Sequence, residues 1–408
     1  MPSRGEYALA GALSNPSFQP DAILASGSKP LRETRPMPRI TAALAALFFL
    51  LPLPARAQDS TLADLLSDAR EEAGLIGMGA AVMVEGEIVA LAVDGERIKG
   101  KGGMLSRDDA WHLGSITKSM TGTLIATMVE DGTLSFETTI GDIYGDAADE
   151  SWRGVTLSQL LTHTSGAPGN FSLIDMLSDN PETRTGISRQ RQAKVEKMIS
   201  APLPGKSGEF LYSNVGFTIA GAMAEKAADG TPWEELLSER VFTPLGIEIS
   251  FGPPTGEAAP WGHAKGIFGK SPRNPAARAD NPAFIGPAGT AALPLADLLR
   301  YGQAHLSQDP ALLSRASYDL LHTPPSRNEE TGFGYAYGWV SDPSGGGYGA
   351  GPIIWHNGSN TYWYALLILV PDERAVIALV TNDGDLENAE PAFQKLAARI
   401  AQDFDLTP

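Results

Sequence analysis

The sequence contains no cysteine among its 408 residues. A disulfide framework, a thiolate zinc site and a cysteine nucleophile are therefore excluded. The six histidines show no His-Glu-x-x-His spacing, and neither a Gly-x-Ser-x-Gly elbow nor a glycine-rich phosphate loop occurs. A zinc protease, an α/β-hydrolase, a kinase and a dinucleotide enzyme thus find no support, and we expect no metal and no cofactor.

Basic residues are scarce relative to acidic ones, with 31 Lys and Arg against 48 Asp and Glu, a net charge of −17. This balance argues against nucleic acid and against anionic membrane surfaces as partners. A small-molecule or peptide substrate fits it better. The length and the 43% hydrophobic content are enough for one large or two ordinary domains. The oligomeric state is not determined by the sequence.

Long apolar runs are absent except near the N-terminus. Ile40–Leu53 is apolar, follows Arg35 and Arg39, and precedes the small-x-small sequence of residues 55–57. A run of 14 residues is too short to span a bilayer. We therefore expect residues 37–57 to be an export signal.

Cleavage after Ala57 would release a periplasmic or extracellular protein without a membrane span. Residues 58–408 carry 25 Lys and Arg and 45 Asp and Glu, a net charge of −20. The signal begins late, so Met37 could be the true start and residues 1–36 a mis-assigned extension. The alternative is a real but unstructured leader.

Apolar periodicity predicts strands at both ends of the chain and helices between them. The predicted strands are 78–84, 87–93, 335–340, 353–355, 362–370 and 375–381. The predicted helices are 60–73, 115–132, 157–161, 190–199, 215–228, 232–241, 295–306 and 389–404. This order indicates an α/β (α+β) fold, in which an antiparallel sheet of N- and C-terminal segments (58–140 and 291–408) is flanked by helices and carries a mainly helical insert (141–290).

The first candidate motif is Ser115-x-x-Lys118, at a predicted helix start. Residues three apart share one helical face, so a lysine held neutral could take the proton of the serine and make it a nucleophile. Ser-x-x-Lys alone is weak, since Ser26 and Lys29 match it too. A simple helix cap at Ser115 is nearly as good an interpretation.

The second motif is Tyr212-Ser213-Asn214, the only Tyr-x-Asn in the sequence. The tyrosine hydroxyl could pass a proton to a leaving group, and the asparagine amide could bind a substrate carbonyl. A turn tyrosine followed by an asparagine cap is the simpler alternative. The third motif is His356-Asn357-Gly358, which precedes the predicted strand 362–370. Gly358 would permit a substrate to approach the strand edge closely.

Taken in order, these motifs resemble the serine β-lactamase and penicillin-binding protein superfamily, and most closely its branch of class C β-lactamases, esterases and D-peptidases. The stretches 160–166, 243–247 and 286–290 resemble the same family in the same order. The resemblance covers roughly residues 60–403. It implies a β-lactamase/transpeptidase-like fold.

The resemblance also implies roles for individual residues. Ser115 would attack a carbonyl and become acylated, with Lys118 and Tyr212 as the proton-transfer pair in either order. The backbone N–H groups of Ser115 and Ser359 would form the oxyanion hole. Asn214 would contact the bound acyl side.

His356 and Gly358 would line the opposite wall of the pocket. Class C β-lactamases usually have lysine where this chain has His356, and a neutral imidazole attracts a carboxylate less strongly than an ammonium does. In the stretch 286–290, Thr290 replaces a glycine that the family often has at this position, which would narrow the rim of the substrate pocket. We therefore expect an exported serine hydrolase acting on a carboxylic ester, a D-amino-acid peptide or amide, or a β-lactam, with the first two favoured.

The alternative is a non-catalytic penicillin-binding-like protein that binds cell-wall peptides or a protein partner. Two further histidines invite a catalytic interpretation but have simpler ones. His112 precedes Ser115 by three residues in a strand-like segment, where packing is the better explanation. For His163 a structural hydrogen bond is expected.

Overall fold

The computed structural model describes residues 55–177, 183–256, 259–277, 279–327, 332–345 and 352–406. In the first part of this range the strands are β1 (Gly77–Val84), β2 (Glu87–Gly95), β3 (Ala110–His112), β4 (Ser250–Phe251), β5 (His263–Gly266), β6 (Gly269–Pro272) and β7 (Ala291–Pro294). The C-terminal strands are β8 (Gly334–Ala336), β9 (Trp339–Asp342), β10 (Ile353–Ser359), β11 (Tyr364–Val370) and β12 (Ala375–Thr381).

The helices of the described residues lie mainly between the two groups of strands. They are α1 (Ala55–Ala73), α2 (Thr117–Glu130), α3 (Ile140–Tyr144), α4 (Glu150–Arg153), α5 (Leu157–Leu161), α6 (Leu173–Met176), α7 (Arg184–Ile199), α8 (Asn214–Ala227), α9 (Trp233–Leu237), α10 (Gly286–Gly289), α11 (Leu295–Ser307), α12 (Arg315–His322) and α13 (Leu386–Asp403). Short 3₁₀ turns precede α2 at Gly114–Ile116 and α10 at Ala283–Ile285.

One seven-stranded antiparallel sheet joins the two ends of the chain, in the order β2-β1-β12-β11-β10-β9-β8. The N-terminal hairpin β1–β2 pairs with the last strand, so that Met78 lies opposite Thr381 and Val84 opposite Ala375. The predicted fold class is confirmed. The division into a discontinuous α/β domain and an insert at residues 141–290 stays a prediction.

The central strands are apolar at almost every position because helices cover both faces of the sheet. In β11 successive side chains alternate between two hydrophobic clusters. Ala365, Leu367 and Leu369 pack on the side of α2 and α11. Leu366, Ile368 and Val370 pack on the side of the terminal helices α1 and α13. The sheet thus separates two cores, and α2 lies in the one that continues into the helical region.

Two predicted strands need correction, and the helix predicted at 190–199 begins six residues earlier, at Arg184. The stretch 335–340 is a hairpin of β8 and β9, and not one strand, because Tyr337 and Gly338 turn the chain with positive φ angles of 50° and 101°. This turn rests on α2, since a Cβ on Gly338 would lie 2.4 Å from the carbonyl oxygen of Lys118. Strand β10 also extends four residues beyond its predicted end, through Ser359.

The predicted export signal lies outside the described residues, apart from its last three residues, which begin α1. Among the residues that the structure describes, no helix combines the length and the apolar composition needed to cross a bilayer.

The contact between the β8–β9 turn and α2 leads to a stability prediction. Gly338→Ala should lower the free energy of unfolding by roughly 2–3 kcal/mol, because its Cβ would collide with backbone atoms of Lys118 in addition to the strain of the positive φ. Gly132→Ala is the control, with φ of 81° but nothing within 4 Å of the new Cβ, and should cost only about 1 kcal/mol. Urea unfolding measures both, and equal losses would contradict the contact.

Candidate active site

Ser115 lies in the 3₁₀ turn between β3 and α2, where its side chain is half-buried. Gly114 reaches this turn with φ of 51°, a conformation that glycine adopts without strain. Here the chain touches the end of β10. A Cβ on Gly114 would lie 2.3 Å from the nitrogen of Ser359, and a Cβ on Gly358 would lie 2.3 Å from the nitrogen of Ser115. The two expected oxyanion-hole donors therefore belong to segments in direct backbone contact.

The Ser359 hydroxyl donates to the carbonyl oxygen of Trp363 at 2.6 Å and accepts the N–H of Thr361 at 2.9 Å. These bonds fix the turn between β10 and β11.

Lys118 follows Ser115 by one helical turn and is fully buried. Its Nζ lies 2.9 Å from Oγ of Ser115. The same nitrogen lies 2.7 Å from Oδ1 of Asn214 and 2.7 Å from the carbonyl oxygen of Ala288. Residues from α2, α8 and α10 thus meet at one amine.

Tyr212 ends the loop before α8, and its ring packs beside Lys118, with Nζ 4.8 Å from the ring centroid. Ser213 caps the helix by accepting the N–H of Gly216 at 2.9 Å. Asn214 is the first residue of α8, and its amide donates to Oδ1 of Asn170 at 2.8 Å. The structure therefore gathers the first two sequence motifs around the Lys118 amine.

His163 has the structural hydrogen bond that the sequence suggests, because its Nδ1 accepts the N–H of Ser213 at 3.0 Å. Its ring packs against Tyr212 at 4.3 Å and against Tyr335 at 4.4 Å between centroids. Burial, followed by the charge of Lys118, holds the pKa of His163 well below its usual 6.5. The neutral imidazole thus packs against the ring of Tyr212.

His356 is fully buried. Its Nδ1 must donate, since its partner is the carbonyl oxygen of Asn357, so Nε2 accepts the hydroxyl of Tyr335 at 3.1 Å. Burial, followed by the charge of Lys118, lowers the pKa of His356 to about 3. The residue is neutral at physiological pH. Its expected place on the pocket wall stays a prediction, whereas its observed contacts are structural.

His112 does not contact Ser115 as a base. Its Nε2 lies 2.9 Å from Oδ2 of Asp280, and its Nδ1 accepts the N–H of Gly114 at 3.2 Å. Both ring nitrogens are therefore engaged elsewhere, as packing in a strand-like segment would suggest.

Sequence reasoning did not identify three residues around this site. The Ala288 carbonyl has no side-chain signature, although the stretch 286–290 resembles a family motif. Asn170 lies in an irregular loop, and nothing in its neighbourhood predicts contact with Asn214. Tyr335 could be read only as an apolar strand residue, since its pairing with His356 depends on the fold. Among the described residues, no cluster of His, Asp and Glu side chains is arranged to hold a metal ion.

Comparison with known proteins identifies relatives over most of the chain. The sequence model of the family described as "Beta-lactamase" matches residues 62–400. Penicillin-binding protein 4 of Amycolatopsis lactamdurans is 30% identical over 332 residues, which are 77% of this chain and 83% of that protein. Lovastatin esterase of Penicillium rubens is 31% identical over 192 residues, 42% of this chain and 48% of the esterase. The solved structure of a class C β-lactamase, 19% identical, has the same fold, with a TM-score of 0.70 over 85% of this chain and 96% of its own.

The neutral His356 leads to a prediction about pH. Its folded pKa of about 3 lies below the ordinary 6.5, so the unfolded chain binds the proton more readily. The stability that this contributes is complete above pH 6.5 and is lost as the pH falls towards 3, by up to a few kcal/mol.

His356→Gln keeps a donor and an acceptor but cannot titrate, so its free energy of unfolding should fall less than that of the wild type between pH 7 and pH 4. The other buried histidines are common to both proteins and cancel in the difference. Urea unfolding at several pH values measures it, and parallel curves would show that His356 is not held neutral by the fold.

Proposed function

Because the chain belongs to the β-lactamase family, and is a serine hydrolase by that membership, we propose that it acts through an acyl-enzyme on Ser115. The observation that carries the proposal is the 2.9 Å contact between Oγ of Ser115 and the buried Nζ of Lys118. A serine needs a base within hydrogen-bond reach to become a nucleophile, and here that base is one helical turn away.

The surroundings of Lys118 suit a neutral amine as well as an ammonium. A neutral amine has two hydrogens, which Asn214 and Ala288 can accept at 2.7 Å each. Its lone pair then points to the hydroxyl of Ser115 and can take the proton. This geometry supports Lys118 as the first base.

The proposed reaction has two stages, acylation of Ser115 and hydrolysis of the acyl-enzyme. Oγ of Ser115 bonds to the substrate carbonyl carbon as its proton moves to Lys118. The N–H groups of Ser115 and Ser359 hold the oxyanion, and Tyr212 relays the proton to the departing alcohol or amine. The bond between the carbonyl carbon and that leaving group breaks, which gives the acyl-enzyme. Water then attacks the acyl carbon as the Lys118–Tyr212 pair takes its proton, the bond to Oγ of Ser115 breaks as Oγ regains a proton, and the acid is released.

We propose carboxylic esters and D-amino-acid peptides or amides as substrates, ahead of β-lactams. The support is electrostatic, because the residue in the third motif, His356, is buried and neutral, with a pKa of about 3. It adds no positive charge to bind the carboxylate that β-lactam antibiotics carry. The similarity to an esterase agrees with this preference.

Export remains part of the proposal and rests on the apolar segment before Gln58 and on the acidic balance of residues 58–408. The second candidate function is non-catalytic binding of cell-wall peptides or a protein partner, which the similarity to a penicillin-binding protein favours. A binding protein has no need of a base beside Ser115.

Covalent labelling tests the nucleophile. The purified protein should react with a fluorescent fluorophosphonate or a fluorescent penicillin, and Ser115→Ala should abolish the adduct, because the Ser115 hydroxyl lies 2.9 Å from the Lys118 amine that would activate it. Gel fluorescence and intact mass measure it. Absence of labelling by both probes in folded wild-type protein would favour the binding function, and labelling that persists in Ser115→Ala would place the nucleophile elsewhere.

A substrate panel tests the preference for neutral groups. Short-chain p-nitrophenyl esters or D-amino-acid amides should be hydrolysed with kcat/KM at least about tenfold above that of cephalosporins, since one fixed charge contact is worth about 1.5–3 kcal/mol. All substrates are measured on one preparation, with Ser115→Ala as the blank. Efficient cephalosporin hydrolysis would show that a cationic residue at position 356 is not required.

A further inference from the structure

A chain of buried hydrogen bonds beside Ser115 has no part in the proton transfers described above. His112 accepts the N–H of Gly114 at Nδ1, at 3.2 Å, and its Nε2 donates to Oδ2 of Asp280 at 2.9 Å. Asn360 donates from Nδ2 to the other oxygen of Asp280, also at 2.9 Å. A backbone N–H can only donate, so the imidazole proton must be on Nε2. The three side chains are at most 9% exposed, and we call them the 112–280–360 bridge.

The ends of this bridge lie next to the two expected oxyanion donors. Gly114, which the bridge holds through its N–H, immediately precedes Ser115. Asn360 immediately follows Ser359. Asp280 joins the two from a third segment, 168 residues from His112 and 80 from Asn360 in sequence.

Backbone contact alone does not set the separation of these donors. The glycines let the Gly114–Ser115 turn and the end of β10 touch, and van der Waals contact then limits how closely they approach. Contact cannot keep the segments from moving apart. A continuous hydrogen-bonded chain between them supplies that opposite limit.

Hydrogen bonds also orient the two peptide groups before Ser115: the bridge holds the Leu113–Gly114 peptide, and Thr117, outside the bridge, holds the Gly114–Ser115 peptide that carries the N–H of Ser115. The N–H of Gly114 is held by His112, and the carbonyl oxygen of Gly114 accepts the hydroxyl of Thr117 at 2.7 Å. At the other end, Oδ1 of Asn360 accepts the N–H of Tyr362 at 3.2 Å. Both turns are thereby fixed in direction as well as in separation.

We propose that His112, Asp280 and Asn360 are positioning residues that set the geometry of the oxyanion hole formed by the N–H groups of Ser115 and Ser359. The inference rests on the acyl-enzyme function proposed above. Oxyanion donors act at 2.7–3.1 Å, and a misplacement of about 1 Å can cost on the order of 100-fold in rate.

A purely electrostatic role of Asp280 predicts the opposite sign. A carboxylate near a developing oxyanion raises the energy of the transition state, so removal of its charge would speed the reaction. A positioning role predicts a slower reaction in Asp280→Asn. Both oxygens of Asp280 accept hydrogen bonds, and the new amide group would place an N–H donor opposite the donor of His112 or of Asn360.

Exchange of the two groups provides the test. Asn360→Asp places two carboxylates in contact, whereas the double variant Asp280→Asn/Asn360→Asp restores the donor and acceptor chain from Gly114 to Tyr362 and loses only the bond in which Oδ1 of Asp280 accepts the N–H of Asn281 at 2.7 Å. We expect kcat for a p-nitrophenyl ester to fall about 10–100-fold in each single variant, with KM changed less than about threefold. The double variant should turn over faster than either single variant, with incomplete recovery because the N–H of Asn281 loses its acceptor.

A spectroscopic readout separates positioning from loss of structure. The acyl-enzyme formed with a carbonyl-¹³C-labelled ester shows the labelled carbonyl stretch in an infrared difference spectrum. Hydrogen bonds in the oxyanion hole lower this frequency, so the single variants should shift the band upward and the double variant should return it. Asp319→Asn is the matched control, because it alters another carboxylate–amide bond, an exposed one of 2.7 Å to Gln308 that links the C-terminal end of α11 to α12. It should move neither kcat nor the band.

Three results would contradict the positioning role of the bridge. A double variant no faster than the slower single variant, an unshifted carbonyl band in slow variants, or faster turnover in Asp280→Asn would overturn it. If Asn360→Asp does not fold, Asn360→Ala removes the same link without adding charge, and the same two readouts apply. A wild-type protein that neither labels nor turns over would instead refute the proposed function, whereas an active wild type without the exchange pattern refutes only the bridge.

Discussion

The site depends on one buried amine, Nζ of Lys118, being surrounded by oxygen acceptors. A polar group withdrawn from water costs about 1–3 kcal/mol when its hydrogen bonds are not replaced. Asn214 at the start of α8 and Ala288 in α10 supply acceptors from 96 and 170 residues away, and Oγ of Ser115 lies 2.9 Å from Nζ in the turn before the helix. These elements must pack in one arrangement to satisfy the amine, and the same arrangement brings the Tyr212 ring beside it.

The terminal sheet completes that arrangement from the other side, by backbone contacts that side chains would prevent. Gly122 on α2 lies under the β8–β9 turn, where a Cβ would be 2.0 Å from the carbonyl oxygen of Tyr337. Gly358 in β10 likewise meets the turn that contains Ser115. Helix α2, with Ser115 in the turn before it, is therefore held between α8 and α10 on one side and the sheet on the other. One side of the site is therefore positioned by a sheet that both ends of the chain form, and the other side by segments from the middle of the chain.

Helices and strands could be predicted from the sequence where one element has its own residue pattern. Contacts between two elements could not. Local periodicity predicted α5 and β12 with their observed bounds and placed the third motif beside β11. It joined β8 and β9 into one strand because Tyr337 and Gly338 interrupt an otherwise apolar run by conformation alone. Motif order gathered Ser115, Lys118 and Tyr212, but the acceptor at Ala288 is a main-chain oxygen, which any residue possesses. Contacts such as that between Asn170 and Asn214 likewise require the folded chain.

The charge state of His356 bears on which substrate the proposed site would bind, and not on how the proposed site would break a bond. His163 and His356 both stay neutral because a charged imidazole would lose its hydration and face Lys118. A permanent cation at position 356 would attract a substrate carboxylate, but it would also set a second positive charge close to that amine. With His356 bonded to Tyr335 instead, position 356 adds no charge beside Lys118, which agrees with the proposed preference for neutral substrates. The proposed proton-transfer groups would therefore be the same for a neutral ester or amide as for a charged substrate.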